Sequence, residues 1–454
     1  MDATTTDTTT ARPFDEMPTV ELPDDYAYRL PEYLAKQAER SGPIFRRRIP
    51  PHMAPYFGEW MVYMVGPEAN RFVLHTHRDH FSHDLGWSPT IGGMFEKGLL
   101  NTDDPAHARD RKMMNPAFAA SYMSRYLPIM SRVIAERTGD WAERGEIDAY
   151  LEARKITFDV AAECLVGFQT GAQVDRLRDL FYQIMFASMS DTFTSEQDFY
   201  DKMTGVRDEL NSMLLTMIAE RRAAPTDDIL GLLVAARDED GEPFTDKQLL
   251  GQLHILLLAG HETTTTLSAW LLRYLAERPQ EIARLRQEIR AALAASNGEI
   301  TLDALKAMPA LGRAVDETGR LRSPVGNVPR GVVKDYAFGG YAVPAGTRVL
   351  LSLVACHQLS SLYADPQMWD PDRFAPPREE GKIPYSLVTF GGGPRICIGI
   401  NFAQIEIKAM AAHILPRFDL APGAEEGVQV YFSPAATILG GVPLRVTAAS
   451  QAGE

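Results

Sequence analysis

Residues 390–408 read FGGGPRICIGINFAQIEIK. Three glycines and a proline lead into a lone cysteine, Cys397, and the residues after it place their apolar positions at helical spacing. A glycine-rich turn feeding a helix N-terminus brings backbone N–H groups and the positive end of the helix dipole to the sulfur. Both favour thiolate over thiol, so Cys397 reads as a nucleophile, a redox centre or a metal ligand. The plainer alternative is a buried thiol acting as apolar filler. A phosphate loop is excluded, because no Lys-Ser or Lys-Thr follows the glycines and Rossmann spacing is absent.

The rest of the chain narrows these choices. It has 454 residues, 45% hydrophobic and 23% charged, with a formal net charge of −14. That charge argues against nucleic acid or an anionic membrane surface as a partner. The three cysteines, Cys164, Cys356 and Cys397, show no CxxC spacing, which argues against zinc and iron–sulfur sites and suits a reducing compartment. The opening MDATTTDTTTARPFDE has neither a basic nor an apolar leader region. Runs such as ILLLAG and VLLSLVA are too short to span a bilayer. The expectation is a cytoplasmic protein without a membrane anchor. A disordered polar tail covers residues 1–25, and a single domain covers 26–454, mainly α with small β-sheets. EWMVYMVG reads as a strand and YAFGGYAVPAGTRVLLS as a hairpin.

A second unusual stretch is LLLAGHETTTT, from Leu256. Thr245 and Gln248 fit a capping box, and Pro279 marks an end, so the spacing predicts a helix of roughly 50 Å at ~1.5 Å per residue. Its middle suits a helix poorly. Gly260 costs about 1 kcal/mol relative to alanine, and four β-branched threonines follow, whose hydroxyls bond back to the preceding turn. A central helix weakened in this way points to function.

Two further pairs gain meaning from their place in the chain. Glu317 and Arg320 in ETGR are three apart and share a helix face, which by itself describes a surface ion pair of little worth. His107 and Arg111 in AHARDRK are four apart and share another face.

FGGGPRICIG matches Phe-x-x-Gly-x-x-x-Cys-x-Gly, the haem signature of the cytochrome P450 family, which the chain resembles from about residue 26 to residue 445 with every motif in the family's order. The resemblance implies a triangular helical fold enclosing haem b (heme, iron protoporphyrin IX), with Cys397 as the axial thiolate. Phe390, Arg395 and Gly399 belong to the same signature. By the same likeness AGHETT supplies room at Ala259 and Gly260, and Glu262 and Thr263 are the acid–alcohol pair of proton delivery. Glu317 and Arg320 match the family's Glu-x-x-Arg, joined by Arg373 from PDRF in a structural network. His107, Arg111, Arg330 and Arg395 match positions that pair with haem propionates, for which guanidinium groups are well shaped. Trp87, Phe95, Leu256, Val325, Val328, Thr437 and Ile438 match the substrate pocket, whose apolar character favours a hydrophobic small molecule.

The implied activity is a monooxygenase using O2, with electrons from a separate ferredoxin or flavodoxin and its reductase. Arg109, Lys112 and Lys408 are the expected basic docking residues. Alternatives are a peroxide-driven peroxygenase or isomerase and a non-catalytic haem-based sensor. The acid–alcohol pair speaks against both.

Overall fold

A helix at Asp246–Ala276 runs through the middle of the protein, in a computed structural model that describes residues 9–23, 25–168, 171–185, 196–424, 428–432 and 436–449. It starts where the sequence predicts. The Thr245 hydroxyl accepts from the Gln248 N–H, and the Gln248 side chain accepts from the Thr245 N–H at 2.9 Å. It stops at Ala276, and Pro279 opens the next helix, Pro279–Ala294, rather than closing this one. A proline at the first helical position loses no hydrogen bond, which explains the placement. The helix is continuous through Gly260 and the threonines. Burial supplies what propensity lacks there, since Leu253, Leu257, Thr265 and Ala269 are all at or near zero exposure. Helices Ala120–Arg137, Ala149–Val166 and Ile400–Ile414 complete a bundle with it.

A five-stranded sheet stands beside the bundle, in the order Ile44–Arg48, Trp60–Val65, Arg348–Ser352, Asn327–Val332, Phe81–Ser82. The expected hairpin divides. Tyr336–Phe338 and Tyr341–Val343 pair across Gly339 and Gly340, both at positive φ, as a two-residue turn requires. Arg348–Ser352 instead leaves to lie parallel to Trp60–Val65. Its neighbour Asn327–Val332 is held in register by the Val328–Leu351 pairing, which carries Arg330 and Val328 to the bundle side.

The expectation of a disordered tail through residue 25 is corrected over its described part. Met17 and Val20 are buried, and the Val20 N–H donates to the Arg46 carbonyl at 2.9 Å. The Arg46 guanidinium lies over the rings of Phe14 and Trp60, at 4.8 and 4.1 Å from their centroids. A few apolar residues among the threonines and acids are enough to dock the segment. Among the described residues no helix is long and apolar enough to cross a membrane.

Candidate functional site

A cavity of about 280 Å³ lies between the central helix, the Cys397 loop and the inner end of the sheet. The loop is shaped by its own backbone. The Cys397 N–H donates to the Phe390 carbonyl at 2.9 Å, and the Gly391 N–H to Val388 at 2.8 Å. Gly391 and Gly393 occupy the left-handed region, at φ 75° and 64°. The glycines serve different ends. A Cβ at Gly393 would strike the Leu74 carbonyl of the turn Phe72–Thr76, and one at Gly392 would lie 3.0 Å from the Tyr385 ring. At Gly391 and Gly399 a Cβ would meet nothing within 4 Å, and both residues line the cavity. Two glycines therefore seat the loop on the protein, and two keep the cavity floor clear.

The Cys397 sulfur faces that cavity and is the only exposed thiol; Cys164 and Cys356 are buried. The side chain is open to the hollow but enclosed by the fold around it. This enclosure pushes the thiol up, against the Gly399 N–H and the Arg111 charge, which pull it down. The sequence-based balance in favour of thiolate is thus reversed: burial outweighs the dipole and the cation in the protein alone. A metal cation at the sulfur restores thiolate, because a coordinating thiol is deprotonated outright.

Along one wall stand Arg330, Arg395, Arg111 and His107, as expected, together with His83, which sequence reading missed. Arg330 is 4% exposed; among the described residues its Nε has no partner, and the one hydrogen bond of its guanidinium is a donation to the Pro329 carbonyl at 2.7 Å. Burial, then Arg395, push it down to about 9. Arg395 donates to the Thr102 carbonyl at 2.8 Å, stands 3.7 Å from Asp104, and is pushed down to about 10, chiefly by burial. Arg111 makes no hydrogen bond or ion pair among the described residues, and burial lowers it as well. His107 is pushed down to about 4 by burial and then Arg395, although Asp104 lies 3.2 Å from Nδ1. His83 is driven far down by burial, Arg330, Arg395 and His107. Nothing around His83 in the sequence marks it; only the fold brings it into this group.

The acid–alcohol pair is split. Thr263, with Ala259, Gly260 and Thr264, lines the cavity, and its hydroxyl donates to the Ala259 carbonyl at 2.8 Å. Glu262 does not line it. One residue round the helix from Thr263, it turns into the bundle and is 2% exposed. There its Oε1 accepts from Tyr150 and, at 3.1 Å, from Arg154. The expectation that Glu262 rotates freely to solvent fails on this packing.

Glu317, Arg320 and Arg373 are brought together, all at zero exposure. Arg320 donates to both Glu317 oxygens, at 2.7 and 2.9 Å, and Arg373 Nε donates to one at 2.9 Å. The remaining guanidinium N–H groups go to the carbonyls of His357, Pro366, Met368 and Ala364 and to Glu380. His357, missed in the sequence, ties this set to the loop. Its Nδ1 donates to the Arg320 carbonyl at 3.2 Å, and its Nε2 accepts from the Val388 N–H at 2.9 Å. At Gly319 a Cβ would lie 2.7 Å from Thr389, so the helix Pro309–Leu321 bears directly on the start of the loop.

Trp87, Leu256, Val325 and Val328 line the cavity. Phe95, Thr437 and Ile438 do not. Phe95 stacks on Phe181, with centroids 5.7 Å apart, and Thr437 and Ile438 are buried in the strand Ala436–Leu439. The expected basic patch is neutralised: Arg109 donates to Asp238 at 2.6 Å and Lys112 pairs with Glu239. Lys408 is half-buried and pulls the neighbouring Asp316 downward, against burial that holds it at about 6.

Comparison with known proteins identifies the family. The cytochrome P450 family model matches residues 26–439. Cytochrome P450 120 of Synechocystis sp. is 31% identical over 408 residues, 88% of each chain. Cytochrome P450 136 of Mycobacterium tuberculosis is 30% identical over 363 residues, 78% of this chain and 73% of its own. The solved structure of retinoic acid-bound cyanobacterial CYP120A1 superposes with a TM-score of 0.81 at 27% identity, over 95% of this chain and 99% of that one. The cytochrome P450DA heme domain shares the fold, with a TM-score of 0.83 over 97% of this chain and 98% of its own, at 23% identity. A family model spanning the cavity, the cysteine loop and the central helix, together with full-length likeness in sequence and fold, makes this chain a member of the cytochrome P450 family of haem-thiolate oxidoreductases.

Proposed function

We propose that the protein is a haem-thiolate monooxygenase that inserts one oxygen atom from O2 into a C–H or double bond of a hydrophobic substrate, with electrons from a separate ferredoxin- or flavodoxin-type partner. The observation that carries this reading is the cavity itself: a single thiol on its floor, guanidinium groups with donors left over on one wall, and apolar side chains over the rest.

The residues fit haem b. Bare floor at Gly391 and Gly399 suits a flat macrocycle, and Arg330, Arg395, Arg111, His107 and His83 supply donors for its two carboxylates. Cys397 would hold the iron. The bound haem supplies the electron transfer and the activation of dioxygen, which no side chain can perform. Trp87, Leu256, Val325 and Val328 exclude water and orient substrate by shape. Thr263 presents the one hydroxyl of the acid–alcohol pair on the cavity, able to donate and accept a proton. The likeness to a retinoic acid-bound relative makes a retinoid the first substrate to try.

One observation favours the peroxide-driven alternative. Glu262 faces away from the cavity, and peroxide brings its own protons. Both readings are tested by supplying retinoids and other terpenoids to the purified protein, once with O2 and a surrogate ferredoxin–reductase pair and once with peroxide alone. Product with O2 and reductant, lost in Cys397→Ala together with the thiolate-type carbon monoxide spectrum, is the expected result. Product with peroxide only overturns the monooxygenase reading in favour of a peroxygenase. Ligand-induced spectral shifts without product in either arm point to a sensor.

A further inference from the structure

His261 stands between Gly260 and Glu262 and has no part in the reading so far. Its Nδ1 lies 2.5 Å from the Leu257 carbonyl, which can only accept, so Nδ1 carries the hydrogen. The ring is walled in by Phe158 and Phe181 on either side and by Tyr182, with centroids 5.1, 5.2 and 5.5 Å away. The residue is at zero exposure, and its Nε2 has no hydrogen-bond partner among the described residues.

Glu262 has a matching gap. Arg154 Nη2 donates to the Tyr150 hydroxyl oxygen at 2.5 Å, so the Tyr150 hydrogen is free to point at Glu262 Oε1, which also accepts from Arg154. Oε1 is therefore fully served, while Oε2 is buried and has no hydrogen-bond partner among the described residues. Oε2 and His261 Nε2 lie 3.8 Å apart, about 1 Å beyond hydrogen-bond reach, so a small closing movement of the two side chains brings them to the distance at which one proton can bridge them. A neutral imidazole of this tautomer offers only a lone pair at Nε2, and an ionised carboxylate offers only lone pairs at Oε2. Two buried acceptors turned toward each other are unfavourable unless a donor stands between them, and the smallest donor is one proton.

We infer that His261 and Glu262 share a single proton between Nε2 and Oε2, and that this pair is the store from which Thr263 is supplied. The inference rests on the monooxygenase reading for its use, though not for the existence of the shared proton. Isolated charge on His261 is disfavoured, since burial pushes it down to about 4 although Glu262 and the Leu257 carbonyl act the other way. The groups that face the pair are Tyr150 and Arg154 from Ala149–Val166 and Tyr182 from Ala172–Met185. When the proton settles on Oε2, Glu262 becomes neutral and its attraction to Arg154 falls, which frees the side chain to swing toward Thr263. The proton then passes from Oε2 to the Thr263 hydroxyl as that hydroxyl hands its own to the oxygen substrate being reduced in the cavity, which leaves the hydroxyl unchanged overall. Glu262 returns to Arg154 as a carboxylate, and the pair takes one proton from solvent before the next turnover.

Two measurements test this on the full-length, haem-loaded protein. In the first, ¹⁵N-histidine NMR of the diamagnetic ferrous carbon monoxide complex follows the His261 nitrogens, identified by their loss in His261→Gln. A protonated Nδ1 and an Nε2 signal midway between bare and protonated nitrogen are expected, with Nε2 changing in Glu262→Gln. An Nε2 at the bare-nitrogen position, unmoved in Glu262→Gln, overturns the shared proton; this arm needs no turnover and stands even if the monooxygenase reading fails. In the second, His261→Gln is compared with the parent, using a surrogate reductase. Glutamine can donate to Oε2 but cannot store a labile proton. Turnover is expected to fall about tenfold, below the usual worth of a general acid because Glu262 remains. The solvent isotope effect should rise, with substrate affinity and the carbon monoxide spectrum unchanged. A parent-like rate and isotope effect overturn the store. Should His261→Gln fail to fold, Glu262→Gln assigns the signal and the NMR arm decides.

Discussion

Buried arginines of two kinds are treated in opposite ways by this fold. Arg320 and Arg373 are at zero exposure, yet they donate to Glu317, to Glu380 and to four backbone carbonyls. Arg330, ten residues after Arg320, is also buried, yet among the described residues its guanidinium has a single carbonyl partner and an orphaned Nε. Burial pushes Arg330 down to about 9. A buried charge with its hydrogen bonds complete holds structure together; one left incomplete waits for an anion from outside. The same contrast separates His357, which uses both ring nitrogens to tie the Glu317 network to the cysteine loop, from His83, which is crowded by cations at the cavity wall.

The largest effect expected from breaking this contrast is at Glu317. Removing the carboxylate leaves two guanidinium groups uncompensated, so Glu317→Ala should lose about 3–5 kcal/mol in urea unfolding and fail to retain haem. An unchanged unfolding midpoint would show that the carbonyls alone satisfy the arginines. Next comes acid. His357 is held neutral in the fold, pushed down to about 3 by burial and then Arg320, from an ordinary value of 6.5. The unfolded chain therefore binds the extra proton first. The stability gained from neutral His357 is whole above about pH 6.5 and is lost as pH falls toward 3. At ~1.4 kcal/mol per unit this amounts to about 2 kcal/mol between pH 6.5 and 5. Unfolding free energies flat across that range would contradict it.

The smallest effect runs the other way. Arg330→Met removes an unpaired buried cation, so the haem-free protein should become more stable, by about 1 kcal/mol. Haem should at the same time dissociate roughly tenfold faster, the equivalent of one charged hydrogen bond. A haem-free protein destabilised by Arg330→Met would place this residue with the structural arginines after all.

How much of this was readable before the fold was known differs by residue. Motifs fixed by local backbone geometry were legible: the glycine-rich loop before Cys397, the capping box at Thr245 and Gln248, and the two-residue turn at Gly339 and Gly340. Each depends on residues within about four positions of one another, where φ/ψ limits and cap hydrogen bonds act directly. The helix that looked weak at Gly260 is unbroken, because burial of the faces turned away from the cavity outweighs a penalty of about 1 kcal/mol.

What the sequence determined by itself is therefore the set of groups that chemistry requires and the local shapes that carry them: one thiol on an open loop, a threonine-rich helix, paired arginines and an acid. Which way each group faces was decided only in three dimensions. Glu262 and Thr263 are neighbours in the chain, yet one lies against Arg154 and Tyr150 while the other faces the cavity. Adjacent helical positions differ by about 100° in direction, and a helix with packed neighbours on some faces and the cavity on another gives each direction a different environment. His83, His261 and His357 acquired their places from elements far away in sequence, and Phe95 and Ile438 lost theirs to packing against other residues. Residue type is written locally, but burial and partnership are properties of the closed fold.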